Sequence, residues 1–142
     1  MSTADRQNWT LDDWGRLILR VSIGGLLLFH GIHKVVAGVG GIAGMLEKSG
    51  LPGFMAFGVY VGEVVAPLMI LLGLYTRLAG AALAFNMAVA VLLAHSSDVL
   101  ALEQHGGWAI ELPMLYFLGA VALVFLGGGR ISAGSHVGRN AP

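Results

Sequence analysis

Three ionisable side chains, His30, His33 and Lys34, close an apolar run that begins at Leu26. Hydrocarbon disfavours such groups. A Lys at the centre of a spanning helix costs about 2.5–3.5 kcal/mol on insertion scales. On a helix the three fall within an arc of about 100°, so they form one polar stripe that needs partners. Three other apolar stretches supply candidates: Glu63, His95 and Glu111, together with the amide of Asn86. Carboxylates facing an amine and imidazoles can pair inside a helix bundle and stay out of lipid. The same set can exchange protons or hold a ligand oxygen.

Each residue also has a plainer reading. A mid-span Glu63 is functional by default, but a buried bridge to Lys34 or His30 could serve only to orient helices. His33 at a helix end can reach headgroups, and Lys34 and Arg20 can snorkel to an interface. Asn86 can be an interhelical hydrogen-bonding group, and Glu111 and His95 can lie in wet surroundings. His30 and His33, three apart, could share a metal with Glu63, Glu111 or His95. A carboxylate-bridged di-iron bundle, however, needs Glu-x-x-His pairs on two helices, and the sequence has none. A bis-His haem would need His30 or His33 level with His95. No metal is therefore expected.

Phe29, Phe54, Phe57 and Tyr60 add aromatic surface nearby. An apolar, aromatic-lined cleft with one or two acid–base groups suits a quinone headgroup, whose carbonyls accept hydrogen bonds and whose reduction consumes protons. On this reading Glu63, His30 and Lys34 carry the chemistry, and His30, His33, Tyr60, Glu111 and Asn86 hold the quinone. No nucleophile triad or dinucleotide fingerprint is present. Gly127–Arg130 ends a helix and is not a phosphate loop.

The elements that position these groups follow from hydropathy. Of 142 residues, 56% are hydrophobic and 11% charged, against roughly a quarter charged in a soluble domain. A spanning helix needs about 20 apolar residues, and four blocks qualify: residues about 16–37, 54–74, 77–95 and 109–127. The fold class is all-α: an integral membrane four-helix bundle forming one unit, with polar tails 1–15 and 128–142. Short surface helices are expected in the outer loops, one near Ile42–Lys48 stopped by Gly50 and Pro52, another within residues 96–107. Thr10 can cap a helix starting at Leu11, and Trp9 and Trp14 suit the headgroup level. Gly58, Gly62 and Ala66 form a small-residue ridge on the second span. The polar, aspartate-bearing N-terminus does not resemble a signal peptide, so the first span is expected to be retained.

Arg6, Arg16, Arg20, Arg77, Arg130 and Arg139 fall on one side of this topology, and only Lys34 and Lys48 on the other. The excess puts both termini in the cytoplasm and the polar cluster in the outer half of the bundle. A net charge of zero gives no electrostatic case for nucleic acid, and the absence of cysteine removes disulfides and thiol redox chemistry.

Four stretches, "LRVSIGGLLLFHGIHKV", "GLPGF", "GEVVAPLMILLGLYTRLAGAALAFNMAVAVLLAH" and "LYFLGAVALVFLGGGR", resemble the DoxX family of small bacterial inner-membrane proteins. The likeness covers about residues 14–132. Its most specific piece is His30-Gly31-x-x-Lys34, followed by the Glu63 span leading to Gly73-Leu74-Tyr75-Thr76-Arg77. The resemblance implies four helices and the inner (cytoplasmic) membrane. It also implies an association with quinone chemistry, since the family takes its name from a subunit of an archaeal quinol oxidase and thiosulfate:quinone oxidoreductase. Other relatives belong to oxidative-stress complexes, and distant ones act as cargo receptors or assembly chaperones. The expectation is a quinone-linked redox accessory subunit, working with a redox partner protein or as a homo-oligomer. A membrane scaffold or assembly factor and a small proton or metal transporter are the alternatives.

Overall fold

A computed structural model describes residues 9–137. Apart from one isolated bridge between Leu102 and Trp108, its ordered elements are helices among the described residues. The expected cap starts the first of them. Thr10 Oγ1 accepts from the Asp13 backbone at 3.2 Å, and Asp13 Oδ2 accepts from the Thr10 backbone at 3.0 Å. This reciprocal box meets two amides that the first turn leaves free. From there α1 runs Leu11–Ala37. The surface helix α2, Gly40–Lys48, follows and ends near Gly50, whose φ is +78°. Next come α3, Gly53–Leu72, and α4, Thr76–Ala94. The fourth apolar helix, α5, is Glu111–Leu126, and a short α6 occupies Ala133–Val137.

Helices α1, α3 and α4 are long and apolar enough to cross a membrane, and α5 has 16 residues. At about 1.5 Å per residue α5 reaches roughly 24 Å, a little less than a hydrocarbon core. Apolar side chains point outward around the bundle, with Phe29 72% and Phe125 77% exposed. A belt of this kind on a monomer faces lipid. The interior is built from smaller groups, including Leu27, Ala66, Ile70, Leu83, Ala120 and Leu123.

Residues 96–107 contain turns instead of the second surface helix expected there. Gly106 has a φ of +82°, which bends the chain back so that Glu103 and Gly107, then Ala101 and Ala109, bond across it. A glycine pair in that position favours a reversal over a helical turn. The second and third spans form the expected hairpin. Gly73 adopts φ +70° and lets the Leu74 amide return to the Met69 carbonyl at 2.9 Å, closing α3.

Glycines set how closely the helices approach. A methyl group on Gly31 of α1 would collide with the Glu63 carbonyl of α3, and one on Gly24 would lie 2.8 Å from the Pro67 carbonyl. Two residues of the ridge on α3 are used inside the chain, Gly62 against the Asn86 side chain of α4 and Ala66 in the core, while Gly58 is exposed. Both crossing helices carry a π-turn, Val21–Gly25 in α1 and Val61–Val65 in α3. Such turns shift helical phase and are frequent at functional positions. The second of them contains Glu63.

At the opposite end, Arg20 does not snorkel. It is 2% exposed, and its guanidinium donates to the carbonyls of Ile70 at 2.8 Å, Leu71 at 2.7 Å, Gly128 at 2.9 Å and Ile131 at 2.6 Å. The first two belong to the last turn of α3, where carbonyls lack helical partners and a cation suits the dipole. The polar segment after α5 is thereby docked instead of trailing free. Asp13 strengthens the same junction by accepting from the Arg130 backbone at 3.1 Å.

Candidate functional site

Lys34 near the end of α1 and Glu63 in the π-turn of α3 form an ion pair, with Nζ 2.5 Å from Oε1. Asn86 of α4 donates its amide to the same oxygen at 3.2 Å. Glu63 is 3% exposed, and its other oxygen, Oε2, is buried without a hydrogen-bond partner. An ionised carboxylate only accepts, and a buried acceptor left unmet costs about 1–3 kcal/mol. The group is held rigidly at one oxygen and left open at the other.

Beside it lies a cavity of about 170 Å³ lined by Leu27, His30, Lys34, Glu63, His95 and Tyr116, among others. The rings of His30 and Tyr116 meet edge to face, with centroids 6.1 Å apart. His95 stands at the end of α4, its Nδ1 3.5 Å from Asp98 Oδ2. Imidazole, phenol, amine and carboxylate from all four long helices thus converge on one small space.

The remaining residues of the expected set are placed differently. Asn86 does not line the cavity and instead fixes Glu63. Tyr60 supports Lys34 by donating its hydroxyl to the Lys34 carbonyl at 3.3 Å. His33 is exposed and does not line the cavity. On a helix it sits about 100° from Lys34, whereas His30 sits about 40° away. Glu111 is exposed and turns back toward Gly107 at the mouth of α5, as side chains at a helix start do. Phe29, Phe54 and Phe57 face outward, so the expected aromatic lining is not theirs. Tyr116 supplies it, a residue the sequence reading missed. The signal was a phenol in mid-span, on the stripe that continues through Ala120 and Leu123. Among the described residues no group of three or more His, Asp or Glu is arranged to hold a metal ion.

The fold and the site define a class: a small helical membrane protein that keeps an ion pair and an unmet carboxylate oxygen beside a small cavity. The DoxX family model matches residues 15–96, and the chain belongs to that family. A curated relative from Bacillus subtilis (strain 168), named "Putative oxidoreductase CatD", is 32% identical over 78 residues. That match covers 55% of this chain and 58% of the relative, so the chain spans little more than half the relative's length. No solved structure matches. The family match contains Lys34, Glu63, Asn86 and His95 and stops before Tyr116.

Proposed function

We propose that this DoxX protein is a quinone-linked redox accessory subunit whose cavity takes a quinol headgroup. The observation that carries the reading is the unmet Oε2 of Glu63, a residue that lines the cavity. A buried acceptor calls for a donor. A quinol offers hydroxyl donors there, whereas the oxidised quinone offers only acceptors. Lys34 and Asn86 hold Oε1 and so fix the direction in which Oε2 faces. Glu63 accepts a proton from the bound hydroxyl at Oε2, while His30 and Tyr116 form the polar edge of the ring pocket. Oxidation of the quinol releases two protons and two electrons: Glu63 takes one proton, the His30 imidazole on the same cavity takes the other, and the electrons pass to a flavin, haem or iron–sulfur centre on a partner subunit. The name of the Bacillus relative, an oxidoreductase, supports this assignment.

The same reading sets the protein in the bacterial inner membrane. Arg16, Arg20, Arg77 and Arg130 gather at the end where α1 begins and α5 finishes, which favours that end for the cytoplasm. The cavity then lies in the outer half of the bundle.

Glu63→Gln tests the assignment. Lys34 and Asn86 hold the amide oxygen, so the amide nitrogen points into the cavity and an acceptor becomes a donor. Short-chain quinol and quinone analogues titrated against detergent-solubilised protein should show quinol affinity falling at least about tenfold, roughly 1.4 kcal/mol. Quinone affinity should hold or rise, and the thermal midpoint should stay near wild type. Unchanged quinol binding in Glu63→Gln would overturn the reading.

A further inference from the structure

The end of the bundle remote from Glu63 carries a second concavity that the redox reading does not use. It lies between the α3–α4 turn and the segment after α5, with a volume of about 480 Å³. Gly73, Thr76, Arg77, Gly128 and Gly129 are among its lining residues, and among the described residues no carboxylate lines it.

Three features give it positive character. The first turn of α4, a helix of 19 residues, opens onto it, and no side chain caps that turn. A free helix N-terminus presents amide hydrogens and a partial positive charge of about half a unit. Arg77 lies along one wall, its Nε 3.3 Å from where a methyl on Gly127 would be. The Arg20 guanidinium lies just under the floor, donating to the Gly128 carbonyl at 2.9 Å and close behind Gly73. Its hydrogen bonds are to carbonyls, so its charge is not cancelled by them. Asp13 in this junction is bonded to Thr10 and the Arg130 backbone, and Asp12 is paired with Arg16.

An independent observation points to a ligand. Thr76 is 4% exposed, and its hydroxyl is buried with no hydrogen-bond partner, facing Gly128 at the base of the concavity. Such a hydroxyl costs free energy unless something meets it. Gly73, Gly128 and Gly129 pack directly against Ser132, Thr76 and Arg16, so the two segments meet without intervening side chains. This arrangement is unlike a P-loop, since no strand precedes it, but it combines the same physical elements: amides at a helix start, a cation and a hydroxyl.

We propose that this concavity binds a phosphate group, as a phospholipid phosphodiester or as free phosphate. Arg77 and the α4 amides contact its oxygens, and the Thr76 hydroxyl donates to one of them. The position at a bundle end beside exposed Tyr75 and Leu78 matches headgroup depth. The test is thermal unfolding of the purified protein in neutral detergent, with inorganic phosphate in one arm and phosphatidylglycerol in mixed micelles in the other. Phosphatidylcholine micelles form a third arm, since this lipid carries the same phosphodiester without net charge.

The wild-type midpoint should rise by several degrees in at least one arm. A rise with phosphate assigns the free ion, and a rise with either phospholipid but not with phosphate assigns the lipid. Arg77→Gln and Thr76→Val should each lose at least half of that rise, Thr76→Ser should restore it, and Arg130→Gln, which removes the same charge outside the concavity, should keep it. No rise in any arm, or an equal rise in Arg77→Gln and Arg130→Gln, would overturn the proposal. Should Thr76→Val fail to fold, Arg77→Gln against Arg130→Gln still decides. Quinol binding at Glu63 is measured separately and does not enter this test.

Discussion

The two ends of this bundle bury charge in opposite ways. Around Arg20 each of the three guanidinium nitrogens is answered: four of its five N–H groups donate to carbonyls at 2.6–2.9 Å. Around Glu63 one oxygen has two donors and the other has none. A saturated buried ion locks elements together, and nothing further can bind it without breaking a bond already made. A half-saturated ion keeps its desolvation cost in reserve for a ligand. Both residues are almost fully enclosed, so the difference lies in how their hydrogen bonds are met and not in burial.

The largest effect that would break this contrast is at Arg20. Arg20→Met takes a donor from four carbonyls on two distant segments, of which Ile70 keeps another in the Gly73 amide, at about 1–3 kcal/mol per buried group left unmet before relaxation. A net loss on the order of 4 kcal/mol should lower the thermal midpoint in detergent by about 10 °C or more. Arg20→Lys should recover only part of it, because an ammonium cannot span both segments as the planar fork does. A midpoint within a degree or two of wild type for Arg20→Met would remove the structural half of the comparison.

The next effect is at the ion pair. Lys34→Met leaves the Glu63 carboxylate buried without a counter-ion and should destabilise by about 3 kcal/mol. Adding Glu63→Leu removes the orphaned charge, so the double variant should be more stable than Lys34→Met alone while losing ligand binding altogether. A double variant less stable than either single one would mean that the pair chiefly holds α1 to α3. Smaller still is Tyr116→Phe, which keeps the ring against His30 and the packing on Ala120. Stability should change by less than about 1 kcal/mol, while quinol affinity falls several-fold in the same titration.

Much of this was legible in the sequence for identifiable reasons. The apolar blocks fixed the helices because spanning length is set by the bilayer, and Thr10 marked a helix start because its partner Asp13 is three residues away. The Lys34–Glu63 pair could be anticipated because two costly groups at similar depth have few alternatives to each other. What escaped depends on distance along the chain and on helical phase. The carbonyl partners of Arg20 lie 50 to 111 residues further on and carry no side-chain signature. The π-turns at Val21–Gly25 and Val61–Val65 alter the phase on which any face assignment rests, and no residue type announces them. Tyr116 was hidden because a phenol among Leu, Phe and Ala reads as core until its neighbour across the bundle is known.

His33 and Glu111 give the smallest and most discriminating prediction. Both have the chemistry for the site and sit on the right helices, yet neither lines the cavity, whereas His30, equally exposed, does. If belonging to the polar stripe were what mattered, His33→Ala would weaken quinol binding as much as His30→Ala. If the cavity wall is what matters, His33→Ala and Glu111→Gln should each leave stability within about 0.5 kcal/mol and binding unchanged, while His30→Ala weakens binding several-fold. The comparison depends on an angle: His30 and Lys34 stand one turn apart on the face that meets Glu63, and His33, one residue before Lys34, has turned away from it.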